Sequence, residues 1–432
     1  MAHLVIVDTN RLGLRLLTIA KDEGHTVSFF RTKKNIHYKE TVETRTVVAA
    51  VDRVITLTDT ADRDELEKAL TMLHAQHPVA AVISVFEHTI ESATFAAAAL
   101  GIPATSAPAV SLARSKYRMR TALSEAGIPC GRTIRVEGLD AVPAAMEKIG
   151  YPVMVKPERS TSSIMSQAVI GPNDKEMALE LLRNEWDTLS TDIKEWVPDV
   201  FVCETYFYGP LISVEVVASS DAISALMVNE RILPEHDPTI EMGTIMPSTL
   251  SSDEQAACAA YAIEAVRVAG LDRGIFHVEL ILTTEGPRFV EINPRLMGGS
   301  MPYLYDFLMG QHIYGMLIDV HLEQGVMVQP SPKGKHIFSL RMQVLKGGTI
   351  NRIPVLNDLP LEGLQVHMYE MPTQVGDIVE DEDVLGRFYI ETDNGDTLRN
   401  RADSLLLCCQ EIFGVELMLQ TYPTCATPNS GI

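Results

Sequence analysis

Residues 276–295 read FHVELILTTEGPRFVEINPR. Two runs of strand-forming residues flank the turn-rich TTEGP, and strand side chains alternate between opposite faces. In the second run Glu291, Asn293 and Arg295 therefore share a face with Phe289, while Val290, Ile292 and Pro294 take the other. If Leu282 pairs with Arg288 across the five-residue TTEGP, Glu279 falls directly opposite Glu291. Two carboxylates about 5 Å apart on an antiparallel ladder repel each other unless a cation lies between them. With Asn293 adding a neutral oxygen, the set suits Mg²⁺, which takes one or two carboxylates and completes its shell with phosphate oxygens. Arg295 comes next on that face, where it can hold charge developing on a transferred group. The alternative is a solvated strand face, but clustered carboxylates backed by a strongly apolar face are uncommon without a partner.

Cations that would face a phosphate occur upstream. The stretch SKYRMRTALSEAGIPC predicts a helix with Ser115 as N-cap and Gly127 as its stop. Lys116 stands in its first turn beside Arg114, Arg118 and Arg120, where the helix end already carries positive charge and an anion would be welcome. Read alone, it is also an ordinary surface lysine. Lys156 ends the predicted strand YPVMVK just before Pro157, so it is aimed from a rigid element; the alternative is a snorkelling strand-end lysine. The loop after it, PERSTSSIMS with Ser163 inside, supplies hydroxyls and amides that can cover a phosphate.

The rest of the chain gives the frame. At 432 residues it exceeds one compact core. Residues 1–112 alternate strand and helix patterns (LVIV, then Leu12, Leu16, Ile19 and Ala20 at helical spacing, then TVSFF), which predicts an open parallel α/β domain. After its first strand comes DTNRLG, so the G-x-G-x-x-G of a dinucleotide site is missing and a dehydrogenase loses its support. Glu87, in SVFEHTIESA, falls at the end of a parallel strand, where ligands bind in such sheets; it pairs with a substrate ammonium or, equally, serves a helix N-terminus. Residues 113–330 hold the motifs above, with a lid subdomain at about 150–208. Residues 331–432 read as a small α+β C-terminal subdomain.

The formal net charge of −21 argues against nucleic acid and against an anionic membrane surface. None of the six cysteines forms a C-x-x-C pair, and no leader or long apolar run occurs, which predicts a cytoplasmic protein.

In this order, SKYRM…AGIP, YPVMVKP, CETYFYGPLISVE and FHVEL…FVEINPRLMGG, the motifs resemble the ATP-grasp superfamily, in particular its carboxylate–amine ligases such as the bacterial L-amino acid ligases. The resemblance covers nearly the whole chain. It implies an ATP-grasp fold preceded by an open parallel α/β domain of the biotin carboxylase N-terminal kind. It further implies that Lys116 and Lys156 bind ATP phosphates and that Glu204 is the hinge at the adenine, with the backbone of Thr205 through Phe207 reading the base. Glu279, Glu291 and Asn293 correspond to ligands of Mg²⁺, or of Mn²⁺ in its place. Arg295 corresponds to the arginine that steadies an acyl-phosphate, and Gly298 and Gly299 to the acceptor side. Small-molecule carboxylate and amino-acid substrates follow, as does a homodimer. Three departures stand out: the loop after Lys156 has no glycine, Leu211 replaces a ribose-binding glutamate, and Thr244 stands where a histidine is frequent. Within the superfamily the rival is a carboxylase activating bicarbonate; outside enzymes, it is a nucleotide sensor, which would have lost a metal carboxylate.

Overall fold

The computed structural model describes residues 1–33, 37–160, 164–197, 199–219, 222–234, 240–326, 328–329 and 331–421. The N-terminal part runs β1 (His3–Val7), α1 (Arg15–Asp22), β2 (Thr26–Thr32), α2 (Val42–Ala49), β3 (Arg53–Leu57), α3 (Arg63–Gln76), β4 (Ala81–Ile83) and α4 (Ile90–Ala99). Its strands form a parallel sheet in the order β3-β2-β1-β4, as the alternating pattern predicts. One face buries Val5, Val7, Phe30 and Val82 against Leu66, Leu70 and Leu73 of α3 and Ala93 and Ala96 of α4.

Helices α5 (Ala107–Ala113) and α6 (Lys116–Glu125) lead away from this sheet. Ser115 caps α6 by accepting from the Arg118 amide at 3.2 Å, and Gly127 follows its end. A small antiparallel sheet comes next, built from β5 (Thr133–Glu137), α7 (Val142–Ile149), β6 (Val153–Pro157), β7 (Gln167–Val169), α8 (Lys175–Thr188), α9 (Thr191–Lys194) and β8 (Val200–Thr205). Its strand order is β5-β8-β6-β7, so this subdomain opens at Thr133, earlier than the motif reading placed it. Met146, Leu179 and Leu182 seal it from one side against Val153, Val155 and Phe201.

The remaining elements are β9 (Leu211–Ala218), β10 (Ile223–Pro234), β11 (Gly243–Met246), α10 (Ser252–Ala269), β12 (Gly274–Thr283), β13 (Gly286–Asn293), α11 (Met301–Met309), α12 (Ile313–His321), β14 (His336–Lys346), β15 (Gly348–Thr349), β16 (Gln365–Glu370), β17 (Ile378–Val379), β18 (Val384–Thr392) and α13 (Gly395–Phe413). One large sheet runs β13-β12-β9-β10-β11-β14-β18-β16. Because β14 pairs with β11, the chain beyond residue 330 continues this sheet. Ala262, Ala265 and Val266 of α10 cover Val214, Val216, Val278 and Leu280, while Leu398, Ala402 and Leu405 of α13 cover Phe338, Leu340 and Phe388. Helices α11 and α12 pack Leu304, Tyr305, Leu317 and Ile318 onto Leu4, Ile6, Val27 and Phe29, the second face of the N-terminal sheet.

The β12–β13 hairpin corrects one detail and keeps the result. Thr283 pairs with Gly286 across a two-residue turn, so Leu282 meets Pro287 and not Arg288. A β-bulge at Val290 then shifts the register by one, and Glu279 still faces Glu291. The bulge also turns Phe289 over: it joins Ile292 in the apolar layer under α10 instead of sharing the face of Glu291.

Candidate active site

Glu279 and Glu291 stand where two cavities meet. A narrow slot of about 160 Å³ is lined by Lys116, Lys156, Glu204, Met154, Leu211 and Ile281 on one side of the pair. A wider cavity of about 780 Å³, lined by Arg295, Gly298, Gly299, Thr244, Arg231 and Arg341, opens on the other. Both glutamates line both spaces. Adjacent strands of an antiparallel ladder put them there, which is why no long-range coincidence is needed to bring two carboxylates together.

The cations are already engaged. Lys116 Nζ lies 3.3 Å from the Glu291 carboxylate, and Lys156 Nζ lies 2.5 Å from that of Glu204. Arg120 donates from Nε to the other Glu204 oxygen at 2.6 Å and from a terminal nitrogen to the Cys130 carbonyl at 2.6 Å. Burial alone would raise the pKa of Glu204, but Arg120 and Lys156 outweigh it and hold the group below its ordinary value. Glu291 behaves alike: burial opposes ionisation, Lys116 and Lys156 overcome it, and its pKa falls to about 2. Both carboxylates are charged at neutral pH.

The metal set fits a hard cation. Among the described residues no three His, Cys, Asp or Glu side chains converge on one point; Glu279, Glu291 and the Asn293 oxygen are hard donors that would suit a cation completing its shell with phosphate oxygens. His277, on the same face of β12 as Glu279, lies 3.1 Å from it and 2.7 Å from Glu215 on β9. Burial disfavours the charged ring, yet the two carboxylates prevail and lift its pKa to about 9. An imidazolium donating from both nitrogens fixes the direction of the Glu279 carboxylate, as outer hydrogen bonds commonly do for metal ligands.

Two comparisons of sequence with known proteins agree with this geometry. Residues 17–104 match the model of the ATP-grasp N-terminal domain, and residues 149–302 that of the ATP-grasp domain. The chain is an ATP-grasp protein. An ATP-grasp domain implies ATP and a divalent cation. The L-arginine-specific L-amino acid ligase of Bacillus subtilis is 23% identical over 431 residues, covering 94% of this chain and 98% of that one. Carnosine synthase 1 of Gallus gallus is 43% identical over 83 residues, which is 19% of this chain and only 8% of that protein. Among solved structures, an L-amino acid ligase from Bacillus licheniformis superposes with a TM-score of 0.73 at 18% identity, covering 98% of this chain and 99% of that chain.

Within this ATP-grasp frame the remaining expected residues fall as follows. Arg295 donates to Glu87 at 3.0 Å, to the Asn293 oxygen at 3.2 Å and to the Leu296 carbonyl at 2.9 Å. Glu87 also accepts from Arg114 at 3.1 Å, so two arginines bracket it; it lies outside α4, whose first turn carries Glu91 instead. Gly298 and Gly299 join β13 to α11, and Gly299 has φ +57. Thr244 accepts from Arg231 at 2.9 Å. Thr205 and Phe207 line the slot, but the amides of Thr205 and Tyr206 donate to Arg132 and Pro152 carbonyls, so those two donors are not free for a base. Ser163 lies outside the described residues. The loop containing it lacks glycine, yet Met165 adopts φ +56, the left-handed region glycine favours. Its side chain is fully buried and its amide donates to Glu185 at 2.8 Å, which holds the strained backbone in place.

Sequence reasoning missed His277, Glu215 and Arg231, and named Arg120 only as a cation beside Lys116, not as the partner of Glu204. His277 was open to discovery, being two residues from Glu279 on the same strand face. Glu215 and Arg231 come from β9 and β10, and no spacing in the chain marks them as neighbours.

Proposed function

We propose that the protein is an ATP-dependent carboxylate–amine ligase. The carrying observation is the Glu279–Glu291 pair at the junction of a nucleotide-side slot and a separate, polar, substrate-sized cavity. That arrangement supports a reading in which a transferable phosphate lies between two compartments, one for ATP and the other for its acceptor. The full-length similarity to an L-amino acid ligase supports the same reading.

The chemistry follows in two steps. A carboxylate oxygen attacks the γ-phosphorus, giving an acyl-phosphate and ADP. An amine nitrogen then attacks the acyl carbon, losing a proton as phosphate departs and an amide forms. Glu279, Glu291 and Asn293 would hold Mg²⁺, or Mn²⁺ in its place, which would neutralise charge at the phosphates. Lys116 and Lys156 exchange carboxylate partners for phosphate oxygens, and Arg295 steadies charge on the transferring group. Arg295 is held for this by Glu87 and Asn293. The slot, at about 160 Å³, is smaller than the roughly 300 Å³ of ordinary ligand sites, so admitting the nucleotide would require the small sheet to move outward, and its return would exclude water from the acyl-phosphate. We place this activity in the reducing cytoplasm, in keeping with the scattered free thiols.

The test is phosphate release from ATP and Mg²⁺ against amino acids and N-acyl amino acids, singly and in pairs, with Glu291→Ala as control. Release requiring a pair, with an amide product and loss in the variant, is expected. Release that requires bicarbonate would reassign the protein to the carboxylases. ATP binding without turnover under any pairing would make it a nucleotide sensor.

A further inference from the structure

The wider cavity is lined by two arginines, Arg231 and Arg341, that the phosphate chemistry does not use, and a third stands beside Arg341. Arg341 on β14 and Arg387 on β18 are register partners, directly opposite on adjacent antiparallel strands. Like charges so placed are destabilising unless something neutralises them. The protein carries 57 acidic against 36 basic side chains, so a half-buried arginine should find a carboxylate easily. Among the described residues neither of these two has one within 4 Å. Arg341 donates only to the Glu241 backbone carbonyl at 2.8 Å, and Arg387 makes a long contact of 3.4 Å to the Tyr389 hydroxyl. Among the described residues the Arg387 Nε is buried without a partner. Glu370, the register partner of Arg387 on β16, accepts from Tyr389 instead.

Arg231 converges on the same spot. Its guanidinium pairs with the Glu241 side chain, while Arg341 holds the backbone carbonyl of the same residue. Among the described residues the Arg231 Nε is again buried with no partner. Glu241 therefore offsets one of three guanidinium groups. Burial, with Arg387 adding to it, pulls the Arg341 pKa below its usual value, which is the mark of a cation short of anions. Arg341 and Arg231 line the wall that also bears Arg295, Gly298 and Gly299; Glu382 lies on that wall too, outside ion-pair range of all of them.

We propose that Arg341, with Arg231 and Arg387 around it, binds a carboxylate of the substrate that does not react. The forked guanidinium suits a carboxylate in two-point contact, and among the described residues Glu241 is the one carboxylate in ion-pair contact with any of the three arginines. The group is either the α-carboxylate of the acceptor amino acid or the side-chain carboxylate of a dicarboxylic one. The substrate class rests on the ligase reading; the existence of the anion site does not.

The experiment is the melting temperature of the full chain with ADP and Mg²⁺ present, across the twenty protein amino acids and the α-carboxamides of those that stabilise it. At least one amino acid should stabilise wild type, and Arg341→Gln should weaken its apparent binding roughly ten-fold or more. Loss of the shift on α-amidation identifies the α-carboxylate. Shifts confined to aspartate and glutamate, and surviving α-amidation, identify the side-chain carboxylate. Equal shifts in wild type and Arg341→Gln, or no shift in wild type with any amino acid, would overturn the proposal. If Arg341→Gln does not fold, Arg341→Lys decides by the same criterion, since it keeps the charge and loses the fork. The readout needs no turnover, so absence of amide product would sink the ligase reading and leave these shifts standing.

Discussion

Arg295 is aimed by a residue from another part of the chain: Glu87 of the N-terminal domain lies 3.0 Å from its Nε. An arginine that must meet developing charge gains from being fixed before the reaction. Arg295→Gln should lower kcat about 10²–10³-fold in phosphate release, and Glu87→Gln about ten-fold, with ATP affinity little changed in either. A Glu87→Gln enzyme with full kcat would show that the pair only joins the two parts. Glu204 sets a second residue-scale expectation. Its folded pKa lies below the ordinary value of 4.5, so its contribution to stability is present above that value and lost as pH falls through the folded one. Glu204→Gln strands Lys156 and Arg120, at a cost of about 3–5 kcal/mol near pH 7 in chemical denaturation. The gap from wild type should narrow as pH falls from 4.5 towards the lower folded value, because the unfolded wild-type chain takes up its proton first. A gap independent of pH would assign the cost to packing.

At the scale of elements, the small sheet is tied to the N-terminal domain by an aromatic contact. The Trp196 ring, which follows α9, lies 4.0 Å from that of His88, with His37 at 5.8 Å from the same indole. Burial pushes the His88 pKa down to about 4, so the ring is neutral and stacks without a charge to hydrate. Aromatic pairs contribute about 0.5–1.5 kcal/mol beyond area burial. Trp196→Ala should therefore speed nucleotide dissociation roughly two- to ten-fold in stopped-flow measurements with a fluorescent ATP analogue. An unchanged rate would mean that the small sheet opens elsewhere, for instance at the Arg159–Glu91 pair of 3.2 Å. The β13 bulge is the other decisive element. TTEGP invited a longer loop, and the observed turn would have misaligned the glutamates had Val290 not been left unpaired.

For the whole molecule, the apparent boundary near residue 330 is not a seam in the packing. β14 covers the edge of β11 with four register pairs, and α13 seals that half of the sheet. A chain ending at residue 330 should expose a long apolar edge and aggregate. Monodisperse, folded material on gel filtration would show that β14 is dispensable. Helices α11 and α12 likewise bind the N-terminal sheet to the catalytic half, which explains how Glu87 reaches Arg295. Among the described residues no helix is long and apolar enough to cross a membrane.

The sequence by itself determined the parallel N-terminal sheet, the capped helix at Ser115 and the carboxylate pair of the hairpin. Each depends on local periodicity or on residues joined by a short turn, and both are written in the order of the chain. Tertiary structure alone decided what those groups touch. Glu204 was readable only by resemblance, because its partners Lys156 and Arg120 come from β6 and α6. The Arg231–Arg341–Arg387 cluster was invisible, because β10, β14 and β18 are brought near one another by strand order in the large sheet. Linear spacing carries no record of such order: pairing between distant strands is set by which apolar faces can be buried together, a property of the whole core.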